Sequence, residues 1–168
     1  MNSIQSAALF MIHDCNLRCA YCYAGEKTSR RMSEETALAS IDFLLKESSG
    51  NVVVTFFGGE PLIEYALLKK IVLDSEEKYG SEVQFRLSTN GTLLNRENLD
   101  FFNEHKFYFT LSLDGGKTQQ DTLRKTAGGK GSFDAVTRCL DDVFEINPYT
   151  IWSLVQEMID SLRAQGHI

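Results

Sequence analysis

The chain has no surplus of positive charge, no apolar run long enough to span a bilayer, no basic leader and no spread of cysteines suited to stapling a secreted fold. With Lys+Arg 17 against Asp+Glu 23, the net charge is −6 and the pI is near 5.1. That balance argues against a phosphate-backbone partner, because nucleic-acid modules carry a basic face. The opening Met1-Asn2-Ser3-Ile4-Gln5-Ser6 puts no basic region before an apolar one and does not read as a secretory signal. No stretch approaches the length of a membrane span, so a cytoplasmic protein with no membrane partner is the expectation. Three of the four cysteines are clustered and Cys139 stands alone in a later apolar pattern. This is metal-ligand usage plus a buried thiol, not a disulfide framework. The remaining composition, 43% hydrophobic and 24% charged over 168 residues, is that of one ordinary globular domain.

What the chain does have is the stretch His13-Asp14-Cys15-Asn16-Leu17-Arg18-Cys19-Ala20-Tyr21-Cys22, with the spacing C-x3-C-x2-C. Three thiolates on one loop repel each other unless a cation sits between them, and soft sulfur selects zinc, copper(I) or an iron–sulfur cluster. A structural zinc draws four ligands, commonly as two separated pairs, so here it would need His13 as the fourth. Three cysteines on one loop suit a cubane cluster with one iron left open. Clustered free thiols are the remaining alternative.

Leu9-Phe10-Met11-Ile12 leads into this loop as a short buried strand, with Phe10 and Met11 as core. Ser33 followed by Glu34 and Glu35 reads as an N-cap with carboxylates in the first turn, and Ala37, Leu38, Ile41, Leu44 and Leu45 recur at helical spacing. Val52-Val53-Val54-Thr55-Phe56-Phe57 is apolar on both faces, as a strand covered on both sides should be. It ends in Gly58-Gly59-Glu60-Pro61, and Pro61 suits the first position of the next helix. Val83 to Ser88 is a third strand, Asn95 to His105 a helix, and Phe107 to Leu113 a fourth strand. A polar loop is expected from Lys117 to Gly131, and after it Ser132 capping a helix through Phe144. Cys139 lies beside that helix's apolar face as packing. Asn147-Pro148 breaks the chain, and Ile151, Val155, Met158, Ile159 and Leu162 form one stripe of a last helix.

Strand and helix patterns alternating four times with short connections predict an α/β fold of parallel βα units, each crossover right-handed. The units fill residues 1–147, with an amphipathic C-terminal helix over 148–168 and no fifth strand. Ligands of parallel sheets bind at the C-terminal strand ends. Each candidate site falls at such an end: the cysteines after strand one, Gly58-Gly59-Glu60 after two, Ser88-Thr89-Asn90 after three, Ser112 and Asp114 after four. Read locally, Gly58-Gly59 is a tight turn or a place where a ligand meets bare backbone. Asn90-Gly91 is either a hairpin turn or, given the helical pattern after it, a βα loop. Ala127-Gly128-Gly129-Lys130-Gly131 is not a phosphate loop, since no strand precedes it and no Ser or Thr follows Lys130. His13, His105 and His167 have no ligand spacing between them.

The cysteine loop with an aromatic before its last cysteine, the Gly58-Gly59-Glu60-Pro61 element and Ser112-Leu113-Asp114-Gly115 together resemble the radical S-adenosylmethionine (radical SAM) family. Within it they are closest to the SPASM-type peptide and protein maturases, including the anaerobic sulfatase-maturing enzymes. The resemblance runs from about Leu9 to Phe144 and implies the N-terminal four units of a partial (β/α) barrel that has six in the family. It implies a [4Fe–4S] cluster on Cys15, Cys19 and Cys22, whose open iron is chelated by SAM. Reductive cleavage of SAM would then give a 5′-deoxyadenosyl radical that takes hydrogen from a peptide or protein substrate. An external electron donor is implied as well. By the same resemblance Gly58, Gly59 and Glu60 meet the SAM ammonium end, Ser88, Thr89 and Asn90 the ribose or methionine moiety, Ser112 and Arg124 the carboxylate, with Tyr21 packing by cluster and adenine and Asp114 at the site. The family often has His-Asp ahead of that arginine, where this chain has Gln119, Gln120 and Asp121. With four units the last strand has an open edge. The 150–165 helix is expected to cover it or to make a homo-oligomer, unless a partner completes the barrel. A cluster- and SAM-binding module without autonomous turnover and a zinc-stabilised domain are the alternatives.

Overall fold

The structure of the chain, a computed structural model, describes residues 4–146. The expected 148–168 helix lies outside the described residues. The main sheet has four strands, β1 (Ser6–Ile12), β3 (Val52–Gly58), β4 (Val83–Thr89) and β5 (Tyr108–Leu111), in the order β1-β3-β4-β5. Every neighbouring pair is parallel, with Leu9 opposite Phe56, Val54 opposite Phe85 and Leu87 opposite Phe109. Between the strands run α1 (Glu34–Glu47), a 3-10 turn over Pro61–Glu64 leading into α2 (Tyr65–Tyr79), and α3 (Arg96–Glu104). The α/β fold of four parallel units is as the sequence led us to expect.

Local chemistry explains the helix starts. The Ser33 side chain accepts from the Thr36 N–H at 3.1 Å, and α1 then buries Ala37, Ile41 and Leu44. Asn95 and Asn98 form a reciprocal cap at α3, each side chain accepting from the other's backbone at 3.1 and 3.0 Å. Proline at the start of the turn after β3 loses no hydrogen bond there. The core lies between sheet and helices. Val52, Val54 and Phe56 face it from β3, and Phe56, Phe85 and Phe107 stack in series at 5.7 and 5.6 Å between centroids. Burying one such ring stabilises by about 1.5–3 kcal/mol.

Several expectations are corrected. Only one sheet face is covered by the described residues: Val53, Thr55 and Phe57 are half-buried, because all three helices pack on the other side. The run Val52–Phe57 therefore reads as covered on both sides without being so here. Residues 117–131 are not a bare loop; they contain α4 (Lys117–Leu123) and β6 (Arg124–Thr126). β6 pairs antiparallel with β2 (Leu17–Cys19), setting Leu17 opposite Thr126, Arg18 opposite Lys125 and Cys19 opposite Arg124. Ser132 does not cap a helix; its hydroxyl donates to the Arg124 carbonyl at 2.6 Å and accepts from Gln120 Nε2 at 2.9 Å. Asp121 does the capping, accepting from the Phe133 N–H at 2.8 Å. The expected helix 133–144 is two, α5 (Phe133–Thr137) and α6 (Leu140–Ile146). Cys139 between them is buried and donates to the Leu94 carbonyl, a packing role as expected.

Candidate cofactor site at the mouth of the sheet

The C-terminal ends of the four parallel strands surround a cavity of about 130 Å³. Cys15, Cys19, Tyr21, Cys22, Gly58, Gly59, Ser88, Asn90, Ser112 and Arg124 all line it. Residues more than a hundred positions apart in the chain thus share one space. Glu60 and Asp114 do not line it. Met11 is fully buried core, whereas Phe10 is only half-buried and joins a wall of rings with His13 at 4.5 Å and Phe57 at 5.9 Å.

The three thiols are free, and each meets a donor from a different segment. Cys15 Sγ accepts from the Leu17 N–H at 3.4 Å and from Asn90 Nδ2 at 3.6 Å. Cys19 Sγ faces Arg124 Nη1 at 4.0 Å, and Cys22 Sγ accepts from Lys27 Nζ at 2.9 Å. Burial pushes the Cys15 and Cys19 thiols up, while the Lys27 ammonium pulls Cys22 down. Among the described residues no three His, Cys, Asp or Glu side chains gather tightly enough to share one metal ion, and the His13 ring lies on Phe10. A zinc with His13 as fourth ligand therefore has no assembled donor set. Sulfurs spread round a cavity suit a multi-iron cluster, in which each cysteine serves a different iron.

The two glycines after β3 are required first by the chain itself. Gly58 has φ 139°, and a Cβ there would lie 2.6 Å from the Ile12 carbonyl oxygen. A Cβ on Gly59 would overlap the Asp14 carbonyl. This closeness lets the Gly59 N–H donate to Ile12 at 2.8 Å and the Glu60 N–H to Asp14 at 3.0 Å, locking the start of the cysteine loop to the end of β3. Glu60 is fully buried beneath the cavity, and its carboxylate is committed to the protein. Oε1 accepts from the Leu62 N–H at 3.1 Å and Thr89 Oγ1 at 2.8 Å, and Oε2 from the Asn90 N–H at 2.8 Å. Desolvation raises its pKa; the three donors act the other way. Asn90 is braced in turn, donating to Asn16 Oδ1 at 2.9 Å and accepting from the Thr92 N–H at 3.0 Å. Its segment is a βα loop, not a hairpin.

On the opposite rim the Tyr21 hydroxyl donates to Asp114 Oδ2. Asp114 Oδ1 lies 3.0 Å from Arg124 Nε, whose N–H is not aimed along that line, so charge and not a directed hydrogen bond holds the pair. The Arg124 guanidinium sits 5.5 Å over the Tyr21 ring. Burial and the hydrogen bond to Asp114 push the Tyr21 hydroxyl up to about 12. Burial of Arg124 favours loss of its charge, yet Asp114 and the groups round it keep the net shift upward. Sequence reasoning missed Tyr23, Phe57, Asn16 and Lys27. The period-2 alternation that turns Phe57 to the face of Phe10 is visible in the sequence; nothing in it marks Lys27 as a neighbour of Cys22.

A parallel sheet with a cysteine-ringed cavity at its C-terminal mouth defines a cofactor-binding α/β protein. Comparison with known proteins says which kind: the Radical SAM superfamily model matches residues 9–159, and the chain belongs to that family. A serine-type anaerobic sulfatase-maturating enzyme of Bacteroides thetaiotaomicron is 34% identical, over 71% of this chain and 31% of that protein. An Fe-coproporphyrin III synthase of Methanosarcina barkeri is 37% identical, over 80% of this chain and 33% of that protein. The solved structure of native anSMEcpe with bound AdoMet and Cp18Cys peptide has the same fold, with TM-score 0.79 and 22% identity, covering 96% of this chain and 48% of that one. The chain thus spans less than half of each. The family's cofactors are the [4Fe–4S] cluster and SAM, and cysteine sulfurs lining one cavity are donors of the kind the cluster takes. No helix among the described residues is long and apolar enough to cross a membrane.

Proposed function

We propose that this chain carries a [4Fe–4S] cluster on Cys15, Cys19 and Cys22 and binds SAM against it in the cavity at the sheet's mouth. When bound by these cysteines and reduced by an outside donor, the cluster would supply the electron for reductive cleavage of SAM to a 5′-deoxyadenosyl radical that takes hydrogen from a substrate. The observation that supports this best is the lining of one cavity by three cysteines together with Gly58, Gly59, Ser88, Asn90, Ser112 and Arg124. The residues divide the work. Arg124 and Ser112 take the SAM carboxylate, a fork and a hydroxyl suited to a planar anion. Gly58 and Gly59 offer backbone to the ammonium end, and Ser88 and Asn90 hold the hydroxyl-bearing side. Glu60 serves from below, fixing the Thr89-Asn90 mouth of β4 to the end of β3. Tyr21, Tyr23 and Phe57 form the aromatic rim of the cavity.

The maturase relatives support a peptide or protein as the substrate, and the open side of the sheet leaves room for one. A low-potential electron donor from outside the chain completes the reaction. The test is anaerobic reconstitution, iron and sulfide analysis, then reduction with SAM and chromatography for 5′-deoxyadenosine. Wild type is expected to hold about four irons per chain and to form the product, and Cys19→Ala to lose both. Zinc in place of iron, or a colourless reconstituted protein, would refute the proposal.

A further inference from the structure

Arg124 faces the cavity, but what fixes its side chain lies behind it. The β2–β6 pairing sets its backbone opposite Cys19, and backbone pairing by itself does not fix where the long side chain points. Two groups meet the guanidinium at different nitrogens: the Cys19 sulfur, 4.0 Å from Nη1, and the Asp114 carboxylate, 3.0 Å from Nε. The Arg124 side chain is only 13% exposed and that of Asp114 24%, so their attraction is poorly screened. Asp114 is itself anchored. Its N–H donates to Gln120 Oε1 at 2.8 Å, and Gln120 is fully buried and donates to Ser132. Its second oxygen takes the Tyr21 hydroxyl, and the Tyr21 ring lies under the guanidinium. Asp114 therefore grips the Nε side of the fork, with Tyr21 as the floor, while Arg124 and Tyr21 line the cavity and Asp114 does not.

We propose that Asp114 is a positioning residue for SAM: its charge holds the Arg124 guanidinium at the place where it meets the methionine carboxylate, and it does not itself touch SAM. The inference rests on the reading of Arg124 as the carboxylate partner. Bidentate pairing needs a fork placed beforehand, and without Asp114 the guanidinium is left to the Cys19 sulfur alone. Asp114 also offsets the positive charge of Arg124 beside the cysteines.

The test measures SAM affinity of the reconstituted, unreduced protein by equilibrium dialysis, with iron content read in parallel, for Asp114→Asn, Arg124→Ala and the double variant. Asp114→Asn is expected to bind SAM about tenfold more weakly, as loss of a group that orients a ligating residue commonly does, at unchanged iron content. The double variant should bind no more weakly than Arg124→Ala alone, since residues acting through one contact are not additive. Tyr21→Phe, which loosens Asp114 without changing charge, should lower affinity in the wild-type background and not in the Arg124→Ala one, and it covers the case in which Asp114→Asn does not fold. Wild-type affinity or tighter binding in Asp114→Asn overturns the inference, the latter marking Asp114 as a competitor for the arginine. Additive losses overturn it too, by showing that Asp114 acts without Arg124. Wild-type affinity in Arg124→Ala removes instead the reading beneath it.

Discussion

At Glu60, burial and hydrogen bonding act in opposite directions. The side chain has no exposed surface, and desolvation lifts its pKa above the ordinary 4.5 despite three donors. A carboxyl whose folded pKa is raised stabilises the fold fully below the unfolded value, and that contribution is lost as pH rises through the folded one. Glu60→Gln removes the titration but gives the Leu62, Thr89 and Asn90 donors one oxygen in place of two. A donor left facing an amide NH2 costs about 1–3 kcal/mol. Urea unfolding of the cluster-free chain should show wild type more stable than Glu60→Gln near pH 4, by a margin that narrows as pH rises above 4.5. A margin that widens with pH would contradict this account. The identities at this scale were legible in the sequence, because Cys15, Cys19, Cys22, Gly58, Gly59 and Glu60 stand in short motifs. Glu60's partners were not, since Thr89 and Asn90 reach it only across the sheet.

Among the elements, the mouth of β3 is the one under tightest steric control. Gly59 passes so close to the Asp14 carbonyl that any side chain must push the cysteine loop outward. Gly59→Ala is expected to cost about 1–3 kcal/mol, as overpacking does, and to lower iron retained after a chelator challenge while far-ultraviolet circular dichroism stays that of the wild type. Retention equal to wild type would mean the loop tolerates displacement. The four parallel strands were readable because their apolar runs are long and bounded by turn formers, as Val52–Phe57 is by Asn51 and Gly58. β2 and β6 were not, being three residues each with no periodicity of their own. They exist because each supplies the other's ladder, and pairing over so long a separation leaves no local trace. The same holds for Asp121 in place of Ser132 as cap: both residue types cap well, and Ser132 had been drawn away to the Arg124 carbonyl.

For the whole molecule, the open edge of the sheet at β5 is the feature that reaches furthest. β5 pairs only with β4 among the described residues, and Tyr108 on it is half-exposed. Unpaired edges template further pairing unless covered or charged. We therefore expect the 168-residue chain to self-associate as its concentration rises in size-exclusion chromatography with light scattering, and Thr110→Lys, which charges the edge, to shift it towards monomer. A wild type that stays monomeric at every concentration would show the edge to be covered. The family, the parallel α/β class and the clustering of Cys15, Cys19 and Cys22 were determined by the sequence alone, because each rests on close spacing or on periodicity within one element. That Arg124 lies opposite Cys19, that Asp114 and Tyr21 hold its guanidinium, and that Glu60 faces the protein were decided only by the tertiary structure. Contacts between segments so far apart depend on how the sheet twists and its loops close, and no local pattern of residues encodes them.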